Sequence, residues 1–219
     1  MILAIILILL FITIVLLSQL VMPLVDFAKR IDNDQKLRQK GLFETRFLAN
    51  AYNKLRDKRN VFEKTLKYAA ETDTLTNLPN RFALNEYLSN IISTNKSISV
   101  FLFDINFLKE TNDRDGHKAG DDLIKRSAKC ICDCFEIPLE KNCFRYGGDE
   151  FVAILTDTKK EQAEELKKKF LDSQSFYDAS ISIGYAIYDE DEKVDIDKLF
   201  NIADREMYIM KAIMHNKVS

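Results

Sequence analysis

The first 25 residues, MILAIILILLFITIVLLSQLVMPLV, carry no charged side chain and are interrupted only by Thr13, Ser18, Gln19 and Pro23. As a helix rising 1.5 Å per residue the run spans about 36 Å, enough to cross a hydrocarbon layer of about 30 Å with some tilt. A cleavable leader is the competing reading. It would need a basic stretch ahead of a shorter apolar core and a small-x-small site behind it, and the sequence has none of these. Residues 1–25 therefore read as a retained transmembrane anchor. Lys29, Arg30, Lys36, Arg38 and Lys40 follow at once, and the positive-inside rule then places everything from Asp26 onward in the cytoplasm of a single-pass inner-membrane protein.

Charge is unevenly divided behind that anchor. Residues 26–70 hold 12 Lys/Arg against 6 Asp/Glu, whereas the remainder is acidic enough to bring the whole chain to −2. A basic neck suits the anionic inner leaflet. An acidic domain is unsuited to nucleic acid, whose binding depends on neutralising phosphates, so no nucleic-acid partner is expected. A phosphorylated substrate would need cations to offset the repulsion. Cys130, Cys132, Cys134 and Cys143 would all be cytosolic, so they read as small buried hydrophobes rather than disulfides or a metal site.

Residues 26–71 form the expected helical neck. Leu48, Leu55, Phe62 and Ala69 recur every seven residues, which suggests a helix continuing the anchor, as a parallel coiled coil between two copies. A lone amphipathic helix resting on its own domain is the alternative, because Lys58 and Arg59 stand where the alternate seam residue belongs. Gly41 marks a candidate joint.

Past Glu71 the pattern turns to mixed α and β. Ile98–Phe103, two strands around Gly147-Gly148 (Phe144–Tyr146 and Phe151–Leu155) and Ala179–Tyr188 read as strands. Helices are expected near Leu84–Ile91, Ala119–Phe135, Lys159–Leu171 and Ile196–His215. Without a regular βαβ rhythm, residues 72–219 predict an α/β domain with a mainly antiparallel sheet flanked by helices.

Two segments carry candidate chemistry. In Phe103–Asp122 (FDINFLKETNDRDGHKAGDD), Asp104 ends a buried strand, suiting it either to a hard cation or to capping the next helix. The amides of Phe107 and Leu108 and the charge of Lys109 could cradle phosphate oxygens. In Arg145–Phe151 (RYGGDEF), Gly-Gly predicts a tight hairpin with positive φ at both positions. Since neighbours on a strand face opposite ways, at most one of Asp149 and Glu150 should converge with Asp104.

These residues match a known family. Arg145–Phe151 resembles the signature of GGDEF domains, the diguanylate cyclases, and the likeness runs from Thr72 to about Val218. Asp73-x-Leu75-Thr76-x-Leu78-x-Asn80-Arg81, Asp104 to Lys109 with Asn112-Asp113, Gly116-His117-x-x-Gly120-Asp121, Ser182-Ile183-Gly184, and Ala203-Asp204-x-x-Met207-Tyr208-x-x-Lys211 resemble its other motifs in order. The resemblance implies a palm-like fold and a homodimer in which each subunit holds one GTP, condensing two GTP into cyclic di-GMP and two pyrophosphates. It implies two Mg²⁺, or Mn²⁺, held by Asp104, the Ile105 carbonyl and Asp149, with Asp149 or Glu150 as proton acceptor. Asn112 and Asp121 would read guanine, Lys109 and Lys211 would hold terminal phosphates, and His117, Phe107, Leu108 and Arg145 would complete the substrate contacts.

Three departures from the family pattern stand out. Asn106 replaces a usual Asp, and Met214-His215-Asn216 replaces Gly-Arg-Asn. Pro138-Leu139-Glu140-Lys141 replaces the Arg-x-x-Asp of the inhibitory product site, so product feedback through that site is not expected. A catalytically weak or inactive GGDEF domain that binds GTP or a protein partner is the alternative function.

Overall fold

A computed structural model describes residues 2–37, 43–91, 97–135, 142–188 and 195–216. The chain divides into two compact units, residues 1–67 and 68–219.

In the first unit, α1 (Ile2–Leu16), a π-helical turn (Leu17–Val21) and α2 (Met22–Asp32) form one run of helix with no buried residue in α1. The wide turn lies just before Pro23, whose ring removes the N–H a regular helix would use there. Thr13 and Ser18 donate their hydroxyls back to the carbonyls of Leu9 and Val15, so neither leaves a polar group bare on the apolar surface.

The heptad positions Leu48, Leu55, Phe62 and Ala69 all fall in one helix, but that helix is not the continuation of the anchor expected over residues 26–71. The N-terminal helix stops at Asp32, where Asn33 donates its side-chain amide to the Lys29 carbonyl and Asp34 turns left-handed at φ 50°. Asp32-Asn33-Asp34 competes with helical hydrogen bonding through its own side chains, which is why the break falls there. Gly41, the candidate joint, lies outside the described residues. A new helix, α3 (Phe43–Glu71), then begins. Its side-chain contacts within this unit are few: Phe27, Leu37 and Ala49 make a small core with Tyr52.

The second unit is built on four antiparallel strands in the order β2-β3-β1-β4: β1 (Ile98–Ile105), β2 (Cys143–Arg145), β3 (Glu150–Thr156) and β4 (Ile181–Tyr188). The helices α4 (Arg81–Ile91), α5 (Leu108–Asp115), α6 (His117–Phe135), α7 (Lys160–Ser173) and α8 (Ile196–Asn216) complete it, with a 3-10 turn at Gln174–Tyr177. α5 was not among the expected helices. Its sequence LKETNDRD offers only a short apolar edge, so periodicity is silent there.

Alternation along each strand sorts the core onto two faces. Phe101, Phe103 and Ile105 of β1 join Phe151, Ala153 and Leu155 of β3 against α6 and α7, where Phe135 and Phe170 pack ring to ring at 5.6 Å. Ile98 and Val100 join Val152 and Ile154 against Leu84 and Leu88 of α4 and Leu199 and Ala203 of α8. The cysteines are all free, with Cys130 and Cys143 buried, and burial pushes the Cys130 thiol up to about 11. This is the inert packing role the sequence suggests.

β4 is an edge strand whose outward groups are taken by side chains. Gln174 binds both the N–H and the C=O of Ile181, Met210 Sδ faces the Ile183 N–H at 3.4 Å, and Glu206 accepts from the Tyr185 N–H at 2.8 Å. These bonds fix α8 along the strand and close an edge that could otherwise recruit another chain. Gly184 permits the close approach: a Cβ there would stand 2.0 Å from the Ala203 carbonyl oxygen and 2.4 Å from the Met207 nitrogen.

Candidate active site

Alternation also decides what stands at the strand ends. Asp104 shares a face with Val100, and Glu150 with Val152, so both point to the α8 side. They are directly paired across the β1–β3 ladder. Opposed carboxylates in a half-buried sheet repel. The pKa of Glu150 is raised, first by desolvation, then by Asp149, Asp104 and Asp204, with Lys211 opposing. Of the two acidic residues of the signature, Glu150 is therefore the one that alternation places beside Asp104. Asp149 precedes β3 and escapes strand geometry; its carbonyl accepts the Ile105 N–H at 3.0 Å, so its backbone meets the end of β1.

Lys211, delivered by α8, lies 2.7 Å from one oxygen of Asp104 and 2.8 Å from the other. The nearly buried Asp104 is thus held by an internal cation. Sequence spacing gives no hint of this pair, whose members are 107 residues apart.

The chain turns sharply after β1. Asn106 is buried, donates to Ser180 Oγ at 3.1 Å and accepts from Ser182 Oγ at 2.9 Å. An amide can do both at once, and the residue that departs from the family pattern is thereby spent on tying β1 to β4. Phe107 follows at φ 62°, a left-handed conformation unusual for a bulky residue, and begins α5 as its N-cap. The opening amides of α5, Leu108 and Lys109, are left without intrahelical partners, as at any helix start, and the Lys109 side chain is exposed.

Asn112 stands one turn further on. Its amide oxygen lies 2.0 Å from where a Cβ on Gly120 would be, so Gly120, which precedes Asp121 in the chain, lets α5 and α6 close together at Asn112. Asp121 and His117 are exposed on α6. A cavity of about 660 Å³ flanks the opposite side of these helices, lined by Thr111, Arg114, Asp122, Arg126 and Ser180, but Asn112 and Asp121 do not line it.

The Gly-Gly loop differs from the expected tight turn. It is a four-residue connection, Tyr146–Asp149, and neither glycine has positive φ. Its shape is held instead by Arg145, which donates to the Gly147 carbonyl at 3.1 Å and the Gly148 carbonyl at 2.7 Å. Gly147 leaves room for Glu150, whose Oε2 would be 2.8 Å from a Cβ there. Nothing in the structure explains Gly148.

Arg145 makes a third bond, 2.9 Å to Asp73. Burial works against the Asp73 carboxylate, but bonds from the Thr76 hydroxyl, Arg145 and the Thr76 N–H outweigh it and hold its pKa below the usual range. Asp73 was not among the predicted site residues. A carboxylate three residues before Thr76 and an arginine beside two glycines were the available signals. Around them, Arg145 N–H binds the Pro79 carbonyl, and Asn80 caps α4 while donating to the Ala70 carbonyl.

Among the described residues no three His, Cys, Asp or Glu side chains form a ready-made metal cage. The chemistry of the acidic groups fits a hard divalent cation: burial and then the neighbouring carboxylates Asp149, Asp104 and Asp204 raise the pKa of Glu150, and Lys211 is the cation that already pairs with Asp104.

The family model for "Diguanylate cyclase, GGDEF domain" matches residues 70–217. Diguanylate cyclase DosC of Escherichia coli K12 is 29% identical over 201 residues, 85% of this chain and 42% of that protein. The signaling protein YkoW of Bacillus subtilis is 33% identical over 163 residues, 68% of this chain and 20% of that one. The chain thus spans less than half the length of either relative. Among solved structures, the coiled coil and GGDEF domain of DgcB from Caulobacter crescentus, in complex with c-di-GMP, superposes with a TM-score of 0.65 at 25% identity, covering 75% of this chain and 92% of that one. The GGDEF domain of YfiN from Pseudomonas aeruginosa gives 0.55 at 29% identity, covering 64% and 88%. The chain belongs to the GGDEF diguanylate cyclase family.

Proposed function

We propose that the protein is a membrane-anchored diguanylate cyclase that works as a homodimer, each subunit presenting one GTP to the other. The observation that carries the reading is the pairing of Asp104 with Glu150 across β1 and β3, next to the start of α5 at Phe107. This is where a triphosphate and its counter-ions need opposite kinds of partner.

In this reading Asp104, the Ile105 carbonyl and Asp149 would hold the cations. Bound there, Mg²⁺ or Mn²⁺ would offset triphosphate charge and favour displacement at the α-phosphate. The amides of Leu108 and Lys109 and the Lys109 side chain receive phosphate oxygens. Lys211, freed from Asp104, turns to the terminal phosphates. Asn112 and Asp121 read the guanine edge, with His117 near them. The 3′-oxygen of one GTP bonds to the α-phosphorus of the other, the bond to pyrophosphate breaks, and the hydroxyl proton passes to the Asp149 or Glu150 carboxylate. A second, symmetrical displacement closes the ring. Arg145 contributes by holding the loop that carries Asp149 rather than by touching nucleotide.

The full chain, purified in detergent and given GTP with Mg²⁺, should release cyclic di-GMP and pyrophosphate, read by chromatography and mass spectrometry. Asp149→Ala should lower the rate by about three orders of magnitude, the scale of a lost charge-stabilising group. Absence of product from a dimeric, GTP-binding sample would overturn the reading in favour of a nucleotide-binding domain without turnover.

A further inference from the structure

Phe43 and Phe47, one turn apart at the start of α3, are 71% and 67% exposed and belong to neither core of the second unit nor the small core of the first. Contacts within the first unit fix the level at which they sit. Phe27 shares one small cluster with Leu37, Ala49 and Tyr52, the last two lying 22 to 25 residues further along the chain. Seven residues later Asp34 bonds Arg56 and Arg59, again 22 to 25 residues on. Equal offsets at two points mean that the end of the N-terminal helix and α3 run side by side in the same direction, without slip.

Between them the chain doubles back. Asn53 binds the Leu37 N–H at 2.8 Å and its carbonyl at 2.9 Å, an offset of only 16, so by Leu37 the chain has returned toward the start of α3. Carrying the offset of 22 to 25 backward places Phe43 level with residues 18–21 and Phe47 level with residues 22–25. These are the last turns of the uncharged run. The basic Lys29 and Arg30 stand about one to two turns beyond, on the water side.

We propose that Phe43 and Phe47 insert into the lipid interface of the leaflet where the anchor emerges, so that α3 starts on the membrane instead of at the end of a free linker. This rests on the reading of residues 1–25 as an anchor. Once that holds, every direction around the anchor at this depth is headgroup or acyl chain, so exposed rings there meet lipid whichever way they face. The surrounding charge suits this occupant: residues 26–70 carry a net positive balance, as an anionic leaflet would favour.

The chain has no tryptophan, so one introduced indole reports alone. The full chain is reconstituted in phosphatidylcholine–phosphatidylglycerol vesicles containing lipids brominated at chosen acyl positions, with Phe11→Trp, Phe43→Trp, Phe47→Trp and Phe62→Trp as separate variants. Phe11→Trp should be quenched by bromines deep in the chain. Phe43→Trp and Phe47→Trp should emit to the blue and lose roughly half their emission to bromines near the headgroup, as expected of rings about 5–10 Å into the boundary. Phe62→Trp, some five turns along α3 from Phe43, should not be quenched. If Phe11→Trp is quenched while positions 43 and 47 are not, interfacial insertion is wrong and the anchor stands. Blue-shifted but unquenched emission at 43 and 47 assigns the rings to a second copy of α3 and also overturns the proposal. An unquenched Phe11→Trp removes the anchor, and the proposal with it.

Discussion

The two units meet the same problem, apolar surface, in opposite ways. Residues 68–219 bury two apolar cores between a sheet and its helical layers, and even the edge strand β4 has the outward amides of Ile181, Ile183 and Tyr185 taken by Gln174, Met210 and Glu206. Among the described residues, 1–67 bury Phe27, Leu37 and Ala49 as their apolar core and leave Phe43, Phe47, Leu48, Leu55 and Phe62 exposed, while Asp34 and Asp57 are tied to the basic groups of the neck. One unit is closed around two buried cores; the other is open and leaves most of its large apolar side chains exposed. Polar contacts between exposed groups add little stability, so the ion pairs of the first unit set its register more than they hold it folded.

The most severe way to test the closed unit is to wedge it. Gly184→Ala puts a methyl into the Ala203 carbonyl and the Met207 nitrogen, both backbone atoms that cannot swing aside. α8 must lift, at a cost of about 3 kcal/mol, the upper range for an overpacked core. Because Lys211 rides on that helix, cyclase activity should fall more than stability alone explains. Thermal unfolding and turnover at a temperature where the variant remains folded separate the two; full activity in a destabilised variant would mean that α8 does not set the position of Lys211.

Much of this closed unit is legible in the sequence, for a physical reason: continuous apolar runs such as ISVFLF and FVAIL have few alternatives to a buried strand. β1, β3, β4, α6, α7 and α8 fall within two or three residues of the expected spans. The local competitions are not legible. α5 is short and polar, the break at Asn33-Asp34 falls ahead of the heptad positions that lie inside α3, and Gly147-Gly148 owes its shape to Arg145 rather than to positive φ. The site divides likewise. Residue types and order were readable, whereas the Lys211–Asp104 pair, the Asp73–Arg145 bridge and the use of Asn106 on Ser180 and Ser182 depend on contacts between distant segments. The segment Pro138–Lys141 and the side chain of His215 lie outside the described residues.

A smaller perturbation sharpens the view that the closed unit braces its own loop. Asp73→Asn removes the charge that Arg145 and Thr76 bind, and should cost about 2 kcal/mol at pH 7, the scale of a hydrogen bond to a charged group. The folded pKa of Asp73 is depressed, so its contribution is complete above the ordinary value of 3.8 and is lost as pH falls through the folded value. Denaturant melts of the two proteins should therefore converge at strongly acid pH. A pH-independent gap would assign the loss to shape rather than charge.

Glu150 should behave in the opposite sense. Its folded pKa is raised, so whatever stability it lends is present below its ordinary value and lost as pH rises through the folded value. Without divalent cation, Glu150→Gln should be more stable than the parent at pH 7 by on the order of 0.5 kcal/mol after solvent screening, with no gain near pH 4. A variant less stable than the parent at pH 7 would mean that the crowding of Asp104, Asp149 and Glu150 is already neutralised in the free protein.

The smallest expected effect on the closed unit comes from cutting the open one. Asn53→Ala deletes both bonds to Leu37, which should loosen the stretch from Asp34 to Leu37 by about 1–2 kcal/mol. The second unit's sheet shares none of these partners, and effects at sites without shared partners stay within about 0.5 kcal/mol of independence. Hydrogen exchange on the full chain reads both at once: the Leu37 amide should lose protection while the amides of β1 and β3 keep theirs. Loss of protection in β1 would show that the connector between the N-terminal helix and α3 bears on the catalytic sheet. The neck would then transmit force to the sheet through its folded state.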